Sequence, residues 1–166
     1  MVVVEGVSDA IAVETLARRM GMPVPHVVPV GGSKGIRRAA RELTGERLLG
    51  LVDAQEQADF AGHVDQLFVC DPDLEGEFVR AFGADGVLAV IEQQGELASF
   101  RTLQRQPAQR GRTVERQLIQ FFAGRSGKKS RYAQLLADAM PLDRIPAPIA
   151  ALLAALHPCQ AGTHEL

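Results

Sequence analysis

The sequence predicts an α/β protein: an open, mostly parallel sheet flanked by helices, with an α-helical C-terminal extension. Three observations lead there. Short apolar runs alternate with stretches whose apolar residues recur at helical spacing. Three of those runs end in an acid, at the end of the strand where open parallel sheets present their functional groups. From about Gly86 onward the runs stop and only helical periodicity continues. The expected division is therefore a sheet-containing part over residues 1–95 and a helical part over 96–166 packed on it.

Val2–Val4 is the first strand, and Asp9–Met20 follows as a helix, with Ile11, Val13, Leu16 and Ala17 on one face and Gly21 closing it. His26–Val30 is the second strand. Gly31-Gly32-Ser33 turns the chain into a helix running through Leu43. Arg47–Val52 forms the third strand and ends at Asp53; Leu67–Cys70 forms the fourth and ends at Asp71. Leu74–Phe82 then reads as a helix. Helical segments follow at Val87–Gln94, Glu96–Gln106, Thr113–Phe122, Ser130–Met140 and Pro146–Leu156, with Gly and Pro between them.

Composition narrows the function. The chain is 46% hydrophobic and 23% charged over 166 residues, which suits a globular domain. No apolar run reaches the ~18–20 residues a membrane crossing needs, and no export signal precedes the first strand. Cys70 and Cys159 lack CxxC spacing, and His26, His63, His157 and His164 form no HxxxH pattern. A zinc site is not expected, and a reduced cytoplasm is the expected location.

Net charge of −2 conceals an asymmetry. Up to residue 99 there are sixteen acids against eight bases, whereas Arg101–Arg131 holds nine bases against Glu115 alone. An acidic part that could gather cations is joined to a basic part that could meet phosphates. Lys34, Arg112, Arg125, Lys128 and Arg131 are the candidate nucleic-acid contacts. At Gly31-Gly32-Ser33-Lys34, a structural turn with Ser33 as cap competes with phosphate binding, and the turn is the simpler reading.

The strand-end acids carry the chemistry. Glu5 follows the first strand, Asp53 the third, and Asp71, Asp73 and Glu75 the fourth; Asp9 lies one helical turn beyond Glu5. Carboxylates brought together at one crevice repel one another unless cations lie between them. An all-oxygen set selects hard ions, Mg²⁺ or Mn²⁺. Singly, Asp9, Asp71 and Asp73 are explained as cap or turn residues. Glu5 has the weakest structural reason to be there.

"VVVEGVSDAIAVETLA", "LLGLVDAQE" and "FVCDPDLEGEF" resemble, in order, the three acidic motifs of a TOPRIM domain, the metal-binding fold of topoisomerases, bacterial primases and several nucleases. The glutamate motif, the "VGG" turn and "DLE" with a helical tail are most similar to the OLD (overcoming lysogenization defect) family of TOPRIM nucleases. The tail resembles small free-standing actinobacterial OLD-like proteins. The resemblance implies a two-metal nuclease acting on DNA, with RNA as a second candidate. Glu5, Asp9, Asp53 and Glu75 would hold the ions, with Asp73 beside them. It also implies a lysine that assists, matched by Lys129, with Lys128 a competitor. A homodimer and a separate ATPase partner are left open. Larger relatives carry an ATPase region, and "GRSGKKS" lacks the GxxxxGK[ST] spacing of a P-loop.

There is one departure. TOPRIM domains carry Asp-x-Asp at the second motif, and this chain reads Asp53-Ala54-Gln55-Glu56. If the segment stays extended, Glu56 faces elsewhere, and either one metal site is weakened or Asp71, Asp73 or Glu77 supplies the missing ligand. The departure also admits a different class of function, a non-catalytic TOPRIM module that binds nucleic acid or a partner protein.

Overall fold

A computed structural model describes residues 1–124 and 127–156. Its centre is a four-stranded sheet of β1 (Val2–Val4), β2 (Val27–Pro29), β3 (Leu49–Asp53) and β4 (Gln66–Cys70) in the order β2-β1-β3-β4. All three pairings are parallel. The chain steps outward from β1 to β2, then crosses back to place β3 on the other side of β1. That reversal makes the β1/β3 boundary the switch point of the sheet, where parallel α/β folds open a crevice beyond the strand ends. Val4 pairs with Leu51, so Glu5 and Asp53 both lie past the last β1–β3 partners.

Both sheet faces are covered, as parallel sheets require. On one face Val2, Val4, Leu49, Leu51, Phe68 and Cys70 meet α1 (Val7–Arg19) and the C-terminal helices. On the other, Val3 and Val52 meet Ile36 of α2 (Ser33–Glu42) and Phe60 of α3 (Gln57–Phe60). The alternation of Val3 against Val2 and Val4 is the strand period of two, read on a run buried on both sides.

After β4 the chain is helical, with α4 (Leu74–Phe82), α5 (Ala84–Gln93), α6 (Leu97–Gln104), α7 (Val114–Phe122), α8 (Lys128–Ala139) and α9 (Ala147–Leu156). Its Phe100, Leu118, Phe122, Tyr132 and Leu153 join the same core as β1 and β3. The tightest helix pair is α1 with α8. Small residues (Ala12 and Ala17 on α1, Ala133 and Ala137 on α8) are buried in that layer, and Arg19 donates to the carbonyls of Ala137 (2.6 Å) and Met140 (2.7 Å). Those carbonyls lie at the negative end of α8, where a guanidinium is favoured.

The elements expected from the sequence are present with several starts displaced: α1 begins at Val7 and not Asp9, β3 at Leu49 and not Arg47, and α5 at Ala84 and not Val87. The α8 helix begins at Lys128, two residues before the expected Ser130, with Gly127 (φ 80°) as its cap. A short 3₁₀ turn, Ala54–Glu56, runs into α3 in a stretch for which the sequence predicts no element.

Candidate active site

Four backbone features bring carboxylates to the switch point. Glu5 follows β1 directly. Asp9 lies in the first turn of α1, and its Oδ2 accepts the Gly6 N–H at 2.8 Å. The helix-start role and a role in the crevice thus coexist in one side chain. Asp53 ends β3, and its Oδ1 accepts the Leu74 N–H at 3.0 Å, tying the third strand end to the start of α4. Glu75 sits in the first turn of that helix, two residues after its cap Asp73, whose Oδ1 accepts the Gly76 N–H at 2.7 Å. Asp9, Asp53 and Glu75 are buried charged residues, each less than 8% exposed. Burying three carboxylates beside one another without a strong countercharge is costly, so their placement calls for a cationic partner.

Lys129 supplies part of it. Its Nζ lies 3.3 Å from Glu75 Oε2. Lys128 and Lys129 occupy consecutive positions in the first turn of α8 and so point about 100° apart. Lys128 turns away, 3.3 Å from Glu96 and over the face of Phe121 at 3.1 Å from the ring centroid. Arg131 pairs with the same Glu96. The α8 helix thus divides its cations between a carboxylate centre and a peripheral anchor.

The groups sense one another. Burial raises the Asp53 carboxyl to about 7, with Asp9, Glu5 and Glu75 adding repulsion and Lys129 opposing it. Burial is also the main reason the Asp9 and Glu75 carboxyls are raised. Glu5 is raised by burial first, then by the charge of Glu56, then by Asp9. Burial alone would lower the Lys129 ammonium, but Glu75, Asp53 and Asp9 outweigh it and keep it raised.

The donor set fits a hard divalent ion: carboxylate oxygens only, electrostatically strained, with Glu5 Oε2 buried and lacking any hydrogen-bond partner among the described residues. Each of the other three carboxylates has one oxygen engaged locally: Asp9 with Gly6, Asp53 with Leu74, Glu75 with Lys129. Among the described residues, no three His, Cys, Asp or Glu side chains already stand at ligand spacing. Binding an ion therefore requires these carboxylates to draw closer together than they stand.

The sequence candidates separate on this geometry. Glu5, Asp9, Asp53, Glu75 and Lys129 come together, with Asp73 close enough for its charge to raise Glu75. Of the substitutes considered for the missing Asp-x-Asp carboxylate, Glu77 is occupied. It accepts the Asp71 N–H at 3.0 Å and pairs with Arg80 at 2.9 Å. Asp71 is exposed. The expectation that Glu56 faces elsewhere assumed an extended segment, and the 3₁₀ turn removes that premise.

Lys34 is exposed in the first turn of α2. The turn before it is structural: Gly31 (φ 72°) donates its N–H to the Glu5 carbonyl at 2.8 Å, and Gly32 (φ 85°) rather than Ser33 is the cap. Arg112 lines a cleft of about 710 Å³ between α4 and α7, with Arg80 and Arg116. Pro72 and Gly76, which flank Asp73 and Glu75 in the chain, form part of its wall. Lys128 and Arg131 line a second cleft of about 830 Å³ against α6. Arg125 lies outside the described residues. Arg80 and Arg116 were not singled out from the sequence. The i, i+4 pair Arg112 and Arg116 straddling the cap Thr113 was the available signal.

Fold and site define an open parallel α/β domain whose switch point gathers carboxylates and one lysine. No family model and no curated protein matches the sequence. Among solved structures, the chain is similar to the C-terminal region of the Burkholderia pseudomallei OLD protein. The TM-score is 0.62 at 18% identity, covering 93% of this chain and 94% of that one. At that identity the likeness establishes the fold, and it is the fold that the acidic motifs implied. No helix among the described residues is long and apolar enough to cross a membrane.

Proposed function

We propose that this protein is a divalent-metal-dependent nuclease of the OLD TOPRIM type, hydrolysing phosphodiester bonds of DNA. The observation that carries this reading is the convergence of Glu5, Asp9, Asp53 and Glu75 with Lys129, around a buried Glu5 oxygen that has no hydrogen-bond donor among the described residues. Mg²⁺ or Mn²⁺, when bound, supplies Lewis acidity at the phosphate and lowers the pKa of water. The four carboxylates hold and orient the ions. Release of Glu75 from Lys129 frees the ammonium to lie against a phosphoryl oxygen, where it offsets the negative charge that develops during in-line displacement. Arg112 and Arg116 hold the flanking backbone by charge, without reading sequence.

Incubating purified protein with supercoiled plasmid and Mn²⁺, then Mg²⁺, tests the proposal. Nicked or linear product that EDTA abolishes and Glu5→Gln removes is the expected result. Gln55, which takes an acid's place in the Asp-x-Asp motif, favours a second reading: a non-catalytic module that retains nucleic-acid or partner binding. Retention of plasmid on the protein without cleavage under either ion supports that reading instead. A single-stranded RNA arm tests RNA as the alternative substrate.

A further inference from the structure

We infer that Glu56 replaces the absent second carboxylate of the Asp-x-Asp motif, so that this chain uses an Asp-x-x-Glu step closed by a 3₁₀ turn. The inference rests on the proposed metal-dependent function and assigns a ligand within that site. Ala54–Glu56 is a 3₁₀ turn capped by Asp53. In that conformation residues i and i+3 eclipse on one face, whereas an extended chain would put alternate residues together. Asp53 enters this turn in extended conformation and Glu56 ends it three residues on, while Gln55 between them is exposed.

Two observations fix where the Glu56 carboxylate goes. A Cβ built on Gly32 would meet Glu56 Oε2 at 3.9 Å, so the carboxylate lies over the Gly31-Gly32 turn. That turn is fastened to the crevice by the Gly31 N–H bond to the Glu5 carbonyl. Glu56 consequently stands on the Glu5 side of the site. Glu5 Oε2 is buried without a partner among the described residues. An unpartnered carboxylate oxygen at the β1 end and a second carboxylate over the turn fastened to it are groups that a shared hard cation would draw together.

Isothermal titration with Mn²⁺, together with Mn²⁺ electron paramagnetic resonance, tests this on the full chain. Glu56→Gln should weaken at least one Mn²⁺ site by about tenfold or more, with a thermal melt in EDTA no lower than that of the wild type, because the described residues give the Glu56 carboxylate no ion pair to lose. Glu56→Asp should recover part of the affinity. Gln55→Asp should leave Mn²⁺ binding unchanged, because position 55 points to solvent. Wild-type affinity in Glu56→Gln while Glu5→Gln abolishes binding would overturn the Glu56 assignment and leave the metal-dependent reading standing. A gain of Mn²⁺ affinity in Gln55→Asp would likewise overturn it. No Mn²⁺ binding by the wild-type chain would overturn both.

Discussion

Lys129 Nζ lies 3.3 Å from Glu75 Oε2, joining the first turn of α8 to the first turn of α4 across the carboxylate crevice. Its neighbour Lys128 is equally close to Glu96 but sits on Phe121, with its side chain only 15% exposed. Consecutive lysines thus have separate duties, and substitution should separate them. Lys129→Ala should reduce cleavage by roughly 10²-fold at saturating DNA and metal, the scale of removing one donor to a developing charge. Lys128→Ala should leave that rate nearly unchanged and lower stability by about 1–2 kcal/mol through removal of its cation–π interaction and ion pair. Single-turnover cleavage and thermal melts of both variants check this. Equal rate losses that extra DNA rescues would reduce both lysines to phosphate contacts.

The ion-free site should make the protein less stable as pH rises. Asp53, raised to about 7, binds its proton more tightly in the folded chain than in the unfolded one, and Glu5, Asp9 and Glu75 shift the same way. A raised carboxyl contributes stability that is complete below its unfolded pKa, about 4, and is lost as pH climbs through its folded value. In EDTA, the midpoint of thermal unfolding should fall between pH 5 and pH 8. Asp53→Asn, which keeps an acceptor for the Leu74 N–H, should flatten that slope. Mn²⁺ competes with the same protons, so its stabilising shift should be several degrees larger at pH 8 than at pH 5.5. Equal shifts at both pH values would show that the ions bind elsewhere.

Much of this was legible in the sequence, for identifiable reasons. The apolar run Val2–Val4 has one physical solution, a strand buried on both faces, and the acid after it has few structural roles. Leu74–Phe82 matches its observed bounds because Asp73 caps one end and Gly83 closes the other. What was illegible depended on local backbone state. Nothing apolar marks Ala54–Glu56 as a 3₁₀ turn, so whether Glu56 faced the crevice turned on a conformation that periodicity does not report. The start of α8 was misplaced because Gly127 and two lysines read as a basic turn, whereas the left-handed glycine is the helix cap.

The packing of α1 on α8 holds the site together, since α1 carries Asp9 and α8 carries Lys129. Arg19 closes that pair with two bonds to the carbonyls of Ala137 and Met140, and Thr15 adds one to Gln134 at 3.2 Å. Arg19→Met retains an apolar stem but removes both bonds. It should cost about 1–3 kcal/mol, the range for hydrogen bonds to a charged group, seen as a lower urea midpoint at unchanged m-value. An unchanged midpoint would mean that the small-residue packing alone sets the pair.

The cleft between α4 and α7 is where nucleic acid should lie. Its wall begins at Pro72 and Gly76, beside the acids of the site, and runs outward past Arg80, Arg112 and Arg116. Arg80 is partly neutralised by Glu77; Arg112 and Arg116 line the cleft together with Glu115, and the described residues show neither arginine in an ion pair. They also carry no base-reading geometry, so their contribution should be to affinity and not to sequence choice. Replacing both by alanine should weaken DNA binding uniformly across unrelated sequences. It should also reduce the slope of log K against log salt by about 0.9 for each duplex phosphate no longer neutralised. The rate at saturating DNA should be preserved, because neither arginine is among the groups at the carboxylate centre. Lys128→Ala and Arg131→Ala provide the contrast. Glu96 pairs with both cations and offsets one of their two charges, so their removal should change the salt slope less than removal of the Arg112 and Arg116 pair does. Fluorescence anisotropy with a labelled duplex across a salt series measures both quantities, and a steeper drop from the Glu96-bound pair would move the DNA path to the α6–α8 cleft.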